Sequence, residues 1–565
     1  MSNQRKPQRR GRRKKSKIGT WLSRWQARVV ERFQKLAWAD ILPKRAGEED
    51  GEGGDVNLTI KGSANRSIVV AGHNIYLQAP LLITLLVAII AFAAIVGLIA
   101  TSNIPPSTSI TVPRFSAGSP YVLDLVVMPF LPYPANNPDC QVLATNLPID
   151  LAASIEQSLA DNRSQDQALL PNIKVWGPSQ IKIEDQISEE EYAVQAQKLI
   201  ADQGADIVLY ATISCNDSQV MIAPHFNLAP SYLKDAPEFQ GTYDLGALSS
   251  EILQPNDPIA GAVVQRELAN RAASLAALAQ GFAYLARHTY SGYLEASEVF
   301  AQITKLNPPP DRQTLSMAHL FAGNASLHAA RGDCADSLNP SLLEQAIQHY
   351  QAALSFEPQT ALAYLGLGNA MNQRALYEAE NNAESAGAYL DAAETFFMRA
   401  LMANIKPSAT ILANQVRYGR AQALLIRRDF TIDDAERAEL LNKAEAIIVE
   451  LLNEYRAGKI RSPSAPTLAA HAYLMMGKIH AMHQSYDAAL FNLNSAQEIA
   501  QDSQTKAMIA LDIAEIRNQI SDFCRAAVYY QLAADNTRCE NDKLNYTLAA
   551  RDYQIACEAN SSNPN

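Results

Sequence analysis

The sequence predicts a mainly α-helical chain: an α-solenoid of helix pairs, preceded by a small α/β domain and a single transmembrane helix. Three observations predict it. From residue 270 onward the chain is helical, rich in Ala and periodic at 34 residues. Residues 120–255 alternate strand and helix patterns. The 20 residues at 81–100 carry no charge and are long enough to span a hydrocarbon core of about 30 Å.

Residues 1–45 are strongly basic, with 15 Lys and Arg against 2 acids, whereas the whole chain has a net charge of −10. The start of this region is predicted to be a disordered arm. Trp21, Trp25 and Phe33 then recur at helical spacing among arginines, which indicates an amphipathic helix lying on an anionic membrane leaflet. A solvated basic helix is the alternative, and binding of the arm to nucleic acid is the least favoured interpretation.

The region 46–80 begins with an acidic, Gly-rich linker. Residues 55–79 then alternate in three short runs separated by the turns GSAN and AGHN, which predicts a short β-segment.

The predicted transmembrane helix covers residues 81–101. Lys and Arg are concentrated before it, so the positive-inside rule places the N-terminus in the cytoplasm and the C-terminal domains outside the cell membrane. A cleaved signal peptide is disfavoured, because the apolar run is too long and begins about 80 residues into the chain. Residues 102–119 are rich in Ser, Thr and Pro and are predicted to be a spacer.

The pattern in residues 120–255 predicts a small domain with strands and helices in the order β-α-β-α-β-β. Ser188 is the expected N-cap of a helix that begins with three glutamates. Two strands, ADIVLYATIS and SQVMIAPHF, are expected to pair across a short turn after Cys215. The segment PYPANNPDCQVLATN is interpreted as an insertion before a helix that starts at LPIDLAASI.

Three segments of this domain resemble the TolB amino-terminal domain. They are the strand end V-x-P-F at 127–130, the helix start LPIDLAASI, and ADQGADIVLYATI. The resemblance implies a non-enzymatic module that docks proteins. The insertion departs from the family pattern.

The repeat region has its clearest copy at residues 471–501. Tyr473, Gly477, Ala489 and Leu493 fall at the spacing of large and small residues that lets paired helices approach closely. This pattern resembles the tetratricopeptide (TPR) repeat. About six copies are expected over 270–540, with three extra segments near RGDCADSLNP, YEAENNAESAGAYL and RRDFTIDDAERAEL, followed by a capping helix and tail at 541–565.

The TPR resemblance implies a concave groove, lined by the first helix of each pair, that binds a protein or peptide. Asn side chains can both donate to and accept from a peptide backbone, and Arg or Lys can form ion pairs with the carboxylates of a peptide. A full carboxylate clamp is not expected, because Leu320 stands where a cation is needed. A merely solvated concave surface is the alternative. The groove candidates are Asn324, Asn369, Asn372, Arg420, Lys478 and Glu515.

All six cysteines follow residue 139, on the predicted exterior, where an oxidising compartment permits disulfides. Cys524 opens the second helix of the last repeat and Cys557 closes the antiparallel helix after it, so these two are expected to pair. A Cys140–Cys215 bond is a second expectation. Buried free thiols are the alternative in each case.

No catalytic residues, cofactor or metal site are predicted. The chain lacks the HExxH, GxSxG and P-loop patterns. Only His480 and His483 share a helical face, and His480 occupies a packing position of its repeat, so a metal ligand there is disfavoured. The chain is therefore predicted not to be an enzyme.

The sequence favours a membrane-anchored scaffold that binds protein or peptide partners through the TPR solenoid and the α/β domain. The alternative is a regulatory subunit of a signalling or transport system, in which the 55–79 segment couples a cytoplasmic partner to an extracytoplasmic sensor. Deletion of residues 1–79 discriminates between them, because only the coupling subunit loses its output. The oligomeric state is left open by the sequence.

Overall fold

The computed structural model describes residues 68–70, 73–75 and 122–561, with short gaps in the last range. The basic arm, the acidic linker, the predicted transmembrane helix at 81–101 and the spacer lie outside the described residues. Within the described part, no helix is both long and apolar enough to cross a membrane. The chain divides into two compact units, Met1–Ser109 and Ile110–Asn565. The gaps are 134–136, 164–171, 182–187, 216–218, 230–240, 247, 252–257, 333, 335–337, 380–381, 404–408, 461 and 463.

The first unit contains a two-stranded antiparallel sheet. Strand β1 is Ile68–Val70 and strand β2 is His73–Ile75, with Ile68 opposite Ile75 and Val70 opposite His73. The runs on the two sides of the predicted AGHN turn therefore do pair, although His73 and Asn74 of that turn already belong to β2. The third predicted run, near residues 55–60, lies outside the described residues.

The second unit begins with a mixed sheet. Its strand order is β5-β3-β6-β7-β8, with β4 beside the end of β6 and β9 beside the start of β7. Strand β3 is parallel to β5 and β6, whereas β6 and β7 are antiparallel, as predicted. The sequence did not predict β4, β8 and β9, which are only three or four residues long. The strands are β3 Val122–Val127, β4 Leu131–Tyr133, β5 Asn172–Trp176, β6 Ile207–Cys215, β7 Gln219–Leu228, β8 Gly241–Asp244 and β9 Leu248–Glu251.

Two helices accompany this sheet. Helix α1, Pro138–Arg163, begins inside the segment interpreted as an insertion and continues through Pro148, so the predicted helix start at Leu147 is wrong. Proline removes the hydrogen bond to the carbonyl four residues earlier. That carbonyl, of Ala144, instead accepts a hydrogen bond from the Phe130 amide at 3.3 Å. Helix α2, Glu189–Gln203, has the expected cap.

The cap of α2 is a reciprocal pair. Ser188 accepts from the Glu191 amide, and the Glu191 carboxylate accepts from the Ser188 amide at 2.9 Å. The serine hydrogen bonds also hold the pKa of Glu191 below its usual value.

The remaining helices form six consecutive pairs and a terminal helix. The second pair is antiparallel, because Ser316 contacts Ala353 while Ala330 contacts Asn339. The pairs are α3 Pro258–Leu285 with α4 Tyr290–Ile303, α5 Arg312–Arg331 with α6 Pro340–Phe356, α7 Ala361–Glu378 with α8 Ala383–Ala403, α9 Ala409–Phe430 with α10 Asp434–Arg456, α11 Ala465–Met482 with α12 Tyr486–Ile499, and α13 Ser503–Gln519 with α14 Phe523–Asn536; α15 is Glu540–Ser561.

Aromatic side chains of the second helices pack directly against glycines of the first helices. Tyr350 is fully buried between Gly323 of its own repeat and Gly366 of the next. A Cβ atom at Gly323 would lie 2.8 Å from the Tyr350 ring, and one at Gly477 would lie 2.6 Å from Leu493. The small and large positions predicted from the repeat pattern therefore do pack on each other.

The three predicted extra segments have different outcomes. Those in repeats three and four lengthen helices, so that α8, α9 and α10 contain 21 to 23 residues whereas α12 and α14 contain 14 each. Only the segment in repeat two forms a longer loop. It joins α5 to α6 through eight residues, 332–339, whereas the corresponding loops of the other repeats have three or four.

The sheet and the repeats share one hydrophobic core and are not separate domains. Phe226 of β7 contacts Phe282 of α3 and Phe321 of α5, with ring centroids 6.2 and 6.4 Å apart. Tyr243 of β8 also contacts Phe321. The first two repeats therefore pack on the sheet through these aromatic side chains.

A buried arginine adds a polar connection at the same place. Arg271 of α3 donates to the carbonyls of Leu245 and Gly246, and its guanidinium lies 3.4 Å from Asp311 at the start of α5. Gly246 has φ +78°, and a Cβ atom there would lie 3.0 Å from Gln313. A side chain at position 246 would therefore disturb this junction.

Candidate functional site

All six cysteines are paired. Cys140–Cys215 lies within the α/β layer and Cys524–Cys557 joins α14 to α15, the two pairings that the sequence favoured. The third bond, Cys334–Cys539, was not expected. It joins residues 205 positions apart, with 4.9 Å between their Cα atoms.

The Cys334–Cys539 bond closes the repeat array. Cys334 lies in the long loop of repeat two, and Cys539 lies in the linker between α14 and α15. The neighbouring Arg538 donates from its guanidinium to the carbonyl of His288, in the loop of repeat one, at 2.9 Å. The first two repeats and the end of the array are thus held together on one edge.

A charged cluster lies on the first helices of the repeats. We call it the groove cluster: Arg331, Tyr418, Lys478, Asp512 and Glu515. The Lys478 ammonium lies 3.4 Å from the Asp512 carboxylate, and its side chain keeps 45% of its exposure. Glu515 is also exposed and lies one turn along α13 from Asp512.

The two carboxylates of the groove cluster share one lysine. The negative charge of Asp512 raises the pKa of Lys478. Displacement of water by the surrounding helices, followed by the charge of Asp512, raises the pKa of Glu515 to about 7, although Lys478 opposes this shift. Loss of water and the neighbouring Asp512 therefore disfavour the ionised form of Glu515.

Tyr418 and Arg331 extend the cluster to repeats four and two. Burial raises the pKa of Tyr418, and the charges of Lys478 and Arg331 lower it, so all three side chains share one electrostatic environment. The Tyr418 ring also lies 6.0 Å from His471, whose Nε2 is 2.9 Å from the Thr505 hydroxyl. Repeats four, five and six thus contact one another here.

Two of the predicted groove asparagines belong to the interior of the array. Asn324 accepts a hydrogen bond from the Tyr350 hydroxyl at 2.8 Å, and Asn372 donates to the Gly419 carbonyl at 2.9 Å. Both side chains are buried. Their amides hold helices together, because a buried polar group needs a partner, and they are not accessible to a ligand.

The other predicted groove residues are more accessible. Asn369 is half-buried, with its side-chain oxygen close to Gly419. Arg420 forms a two-pronged ion pair with Glu394 of α8, at 2.7 and 3.0 Å. A carboxylate ligand would have to displace Glu394, so Arg420 is already occupied.

A second cluster of titratable groups lies in the sheet. The Asp206 carboxylate accepts from the Asp124 amide at 2.7 Å, and Trp176 donates to Asp124 at 2.8 Å. Burial raises the pKa of Asp206 to about 8. These contacts connect β3, β5 and the start of β6, so their role is to hold the strands in register.

Histidine and acidic side chains of the described residues form no group of three suited to a metal ion. His483 lies 3.3 Å from Glu445, and His480 is half-buried in α11. Asp512 was missed although it stands three residues before Glu515, a spacing that places both on one helix face. Tyr418 and Arg331 had no local signal, because each lies in a different repeat from Lys478.

Comparison with known families identifies a TPR repeat at residues 343–373. This segment comprises most of α6, the following turn and most of α7. No curated protein matches the chain. TPR repeats generally serve as non-catalytic scaffolds for protein–protein interaction. The matched segment lies within the array of helix pairs that the structure describes, and it is similar to a TPR repeat.

Proposed function

We propose that this chain is a membrane-anchored scaffold whose groove cluster binds a basic segment of a partner protein. The observation that carries the proposal is the pair of carboxylates on one face of α13, Asp512 beside Lys478 and the exposed Glu515 one turn along. A Lys or Arg side chain or an amino group of a partner would pair with the Glu515 carboxylate. A charge-assisted hydrogen bond to a carboxylate is shorter and stronger than a neutral one, which gives such a segment an advantage.

Arg331 and Tyr418 narrow the choice of partner. Tyr418 offers an aromatic ring in the cluster, and a cation near a ring face gains further attraction. Arg331 and Lys478 repel a uniformly basic chain. The expected segment therefore combines one basic group with neutral or acidic residues around it.

The proposal is tested with a random nine-residue peptide library selected on the full-length chain in detergent. Peptides enriched over a protein-free control should contain Lys or Arg, and their affinity is then measured by fluorescence anisotropy. The double variant Asp512→Asn/Glu515→Gln should bind them at least about tenfold more weakly, equal to about 1.4 kcal/mol. Affinity for the unaltered chain should rise from pH 6 to pH 8, because a cation binds the ionised form of Glu515.

Glu498→Gln is the matched control, since it removes an exposed carboxylate from α12, the second helix of repeat five. This variant should keep the affinity of the unaltered chain. Enrichment of no peptide, or equal affinity for the unaltered chain and the double variant, would reject the groove cluster as the binding site.

The proposal includes the membrane. Residues 81–101 are proposed to span the cell membrane once, with the basic arm on the cytoplasmic leaflet. The α/β domain and the repeats are then extracytoplasmic. In the α/β domain, the TolB-like segment is proposed as a second docking surface. The uncharged run at 81–100 and the three disulfides support this arrangement.

Protease treatment of intact, outer-membrane-permeabilised cells tests the orientation. We expect the repeat region to be digested while an epitope placed before residue 20 stays protected. A protected repeat region, digested only after lysis, would contradict the orientation.

A further inference from the structure

We propose that His319 and His349 form a binding site for one divalent transition-metal ion, of the class that Zn²⁺ and Cu²⁺ represent. The site lies in repeat two and is independent of the groove cluster. His319 belongs to α5 and His349 to α6, the two antiparallel helices of that repeat. Their Nδ1 atoms lie 3.1 Å apart, with the ring centroids 5.4 Å apart. The two imidazoles therefore meet through nitrogen atoms that can serve as metal ligands.

The separation of the two nitrogens suits one ion bound by both. A bond between zinc and an imidazole nitrogen is about 2.0–2.1 Å long. Two such bonds that span the 3.1 Å between the Nδ1 atoms enclose an angle of about 100° at the ion. Tetrahedral coordination needs about 109° and square-planar coordination about 90°, the geometries typical of Zn²⁺ and Cu²⁺. A small shift of either ring therefore satisfies either geometry.

The ion takes the place of a proton that lies between the two rings. At this distance, the Nδ1–H group of one histidine donates to the Nδ1 atom of the other. When an ion binds both Nδ1 atoms, this proton moves to Nε2 of its own ring, so that each imidazole stays neutral and keeps one proton. The rings turn so that both lone pairs point at the ion. Neutral imidazole is the form that binds a metal.

The surroundings keep both rings free of a second proton. Loss of water lowers the pKa of both histidines, and the neighbouring His319 lowers the pKa of His349 further, to about 4. A metal ion therefore has no charged imidazole to deprotonate at pH 7. Both side chains are half-buried, so an ion reaches them from solvent and keeps water at its remaining coordination positions.

Phe356 holds the first of the two rings in place. It is the last residue of α6 and stacks on His319, with 5.7 Å between the centroids and 14° between the planes. The carbonyl of Phe356 accepts a hydrogen bond from the Arg312 guanidinium at 2.8 Å, which connects this end of α6 to the start of α5. A ligand whose orientation is fixed by packing loses less freedom when the ion binds.

Thiolates do not compete for the ion, because all six cysteines are paired in disulfides. His480 and His483 are a second pair of neighbouring histidines, three residues apart at the end of α11. The Nε2 atom of His483 already lies 3.3 Å from the Glu445 carboxylate. This pair therefore serves as the matched control for the proposed site.

The test titrates Zn²⁺ into the full-length chain in detergent by isothermal titration calorimetry, on protein purified without an oligohistidine tag. His319→Gln and His349→Gln should each weaken binding at least tenfold. His480→Gln/His483→Gln should keep the affinity of the unaltered chain. Mg²⁺, which prefers oxygen ligands, should not bind at this site. Equal affinity for the unaltered chain and both single variants, or loss of binding in the control alone, would overturn the proposal.

Electron spin echo envelope modulation of bound Cu²⁺ counts the imidazole ligands and gives a second readout. The unaltered chain and the control variant should each show two imidazoles, and each single variant should show one. Because the first two samples keep both histidines, this comparison decides the matter even where a single variant fails to fold. One imidazole in the unaltered chain, or a loss of one in the control variant, would overturn the site.

Discussion

Phe397→Ala is expected to lower the free energy of unfolding by about 3–5 kcal/mol, the range measured for removal of a large buried aromatic ring. Phe397 of α8 is fully buried between Gly368 of its own repeat and Gly419 of the next. Neither glycine has a side chain that can move into the space. The cavity would therefore persist, and the contact between repeats three and four would be lost at its centre.

The measurement is urea unfolding of the full-length chain, followed by circular dichroism at 222 nm. Phe491→Ala is the matched control, because Phe491 is 65% exposed on α12 and its removal leaves no cavity. We expect the control to change stability by less than about 1 kcal/mol. Equal losses in the two variants would contradict the packing of Phe397 between the glycines.

Arg271→Ala is expected to cost about 2–4 kcal/mol and to loosen the sheet from the repeats. The substitution leaves the buried carbonyls of Leu245 and Gly246 without their donor and Asp311 without its cation. A buried acceptor left without a partner costs about 1–3 kcal/mol, and an unpaired partner charge adds to that cost.

Hydrogen exchange measured by mass spectrometry locates the effect of Arg271→Ala. Protection should fall in β8 and at the start of α5, while α11 and α12 keep theirs. Arg525→Ala is the control, since that arginine is 65% exposed and its nearest carboxylate, Asp522, is 3.7 Å away. An exposed ion pair of this kind contributes about 0–1 kcal/mol. Unchanged exchange in β8 would contradict the role of Arg271.

Local regularity explains what the sequence predicts well. The repeat period predicts six helix pairs and a terminal helix, because the small and large positions of each copy pack only on their neighbours. The Ser188 cap and the pairing of β6 with β7 are likewise determined by a few consecutive residues. Failures occur where a local rule is overridden, as at Pro148, where Phe130 supplies a substitute partner for the carbonyl of Ala144.

Contacts between residues that are far apart in the chain cannot be predicted from a local sequence pattern. The Cys334–Cys539 bond depends on the curvature of the whole array, which is the sum of small rotations between repeats. Asn324 stands at the repeat position that was expected to line the groove. Its side chain instead accepts a hydrogen bond from the Tyr350 hydroxyl and is buried within its own repeat. Lys478 and Glu515 are accessible and stay predicted groove residues, whereas their neighbour Asp512 was not predicted.

The central claim is that a partner segment binds on the groove cluster, and site-specific photo-crosslinking tests it most directly. Benzoylphenylalanine replaces Tyr418 in one variant and Phe491 in the other, so that each aromatic ring is exchanged for a larger one. A selected Lys-containing peptide should crosslink at position 418 and not at position 491. Crosslinking at 491 alone, or equally at both positions, would contradict binding in the groove.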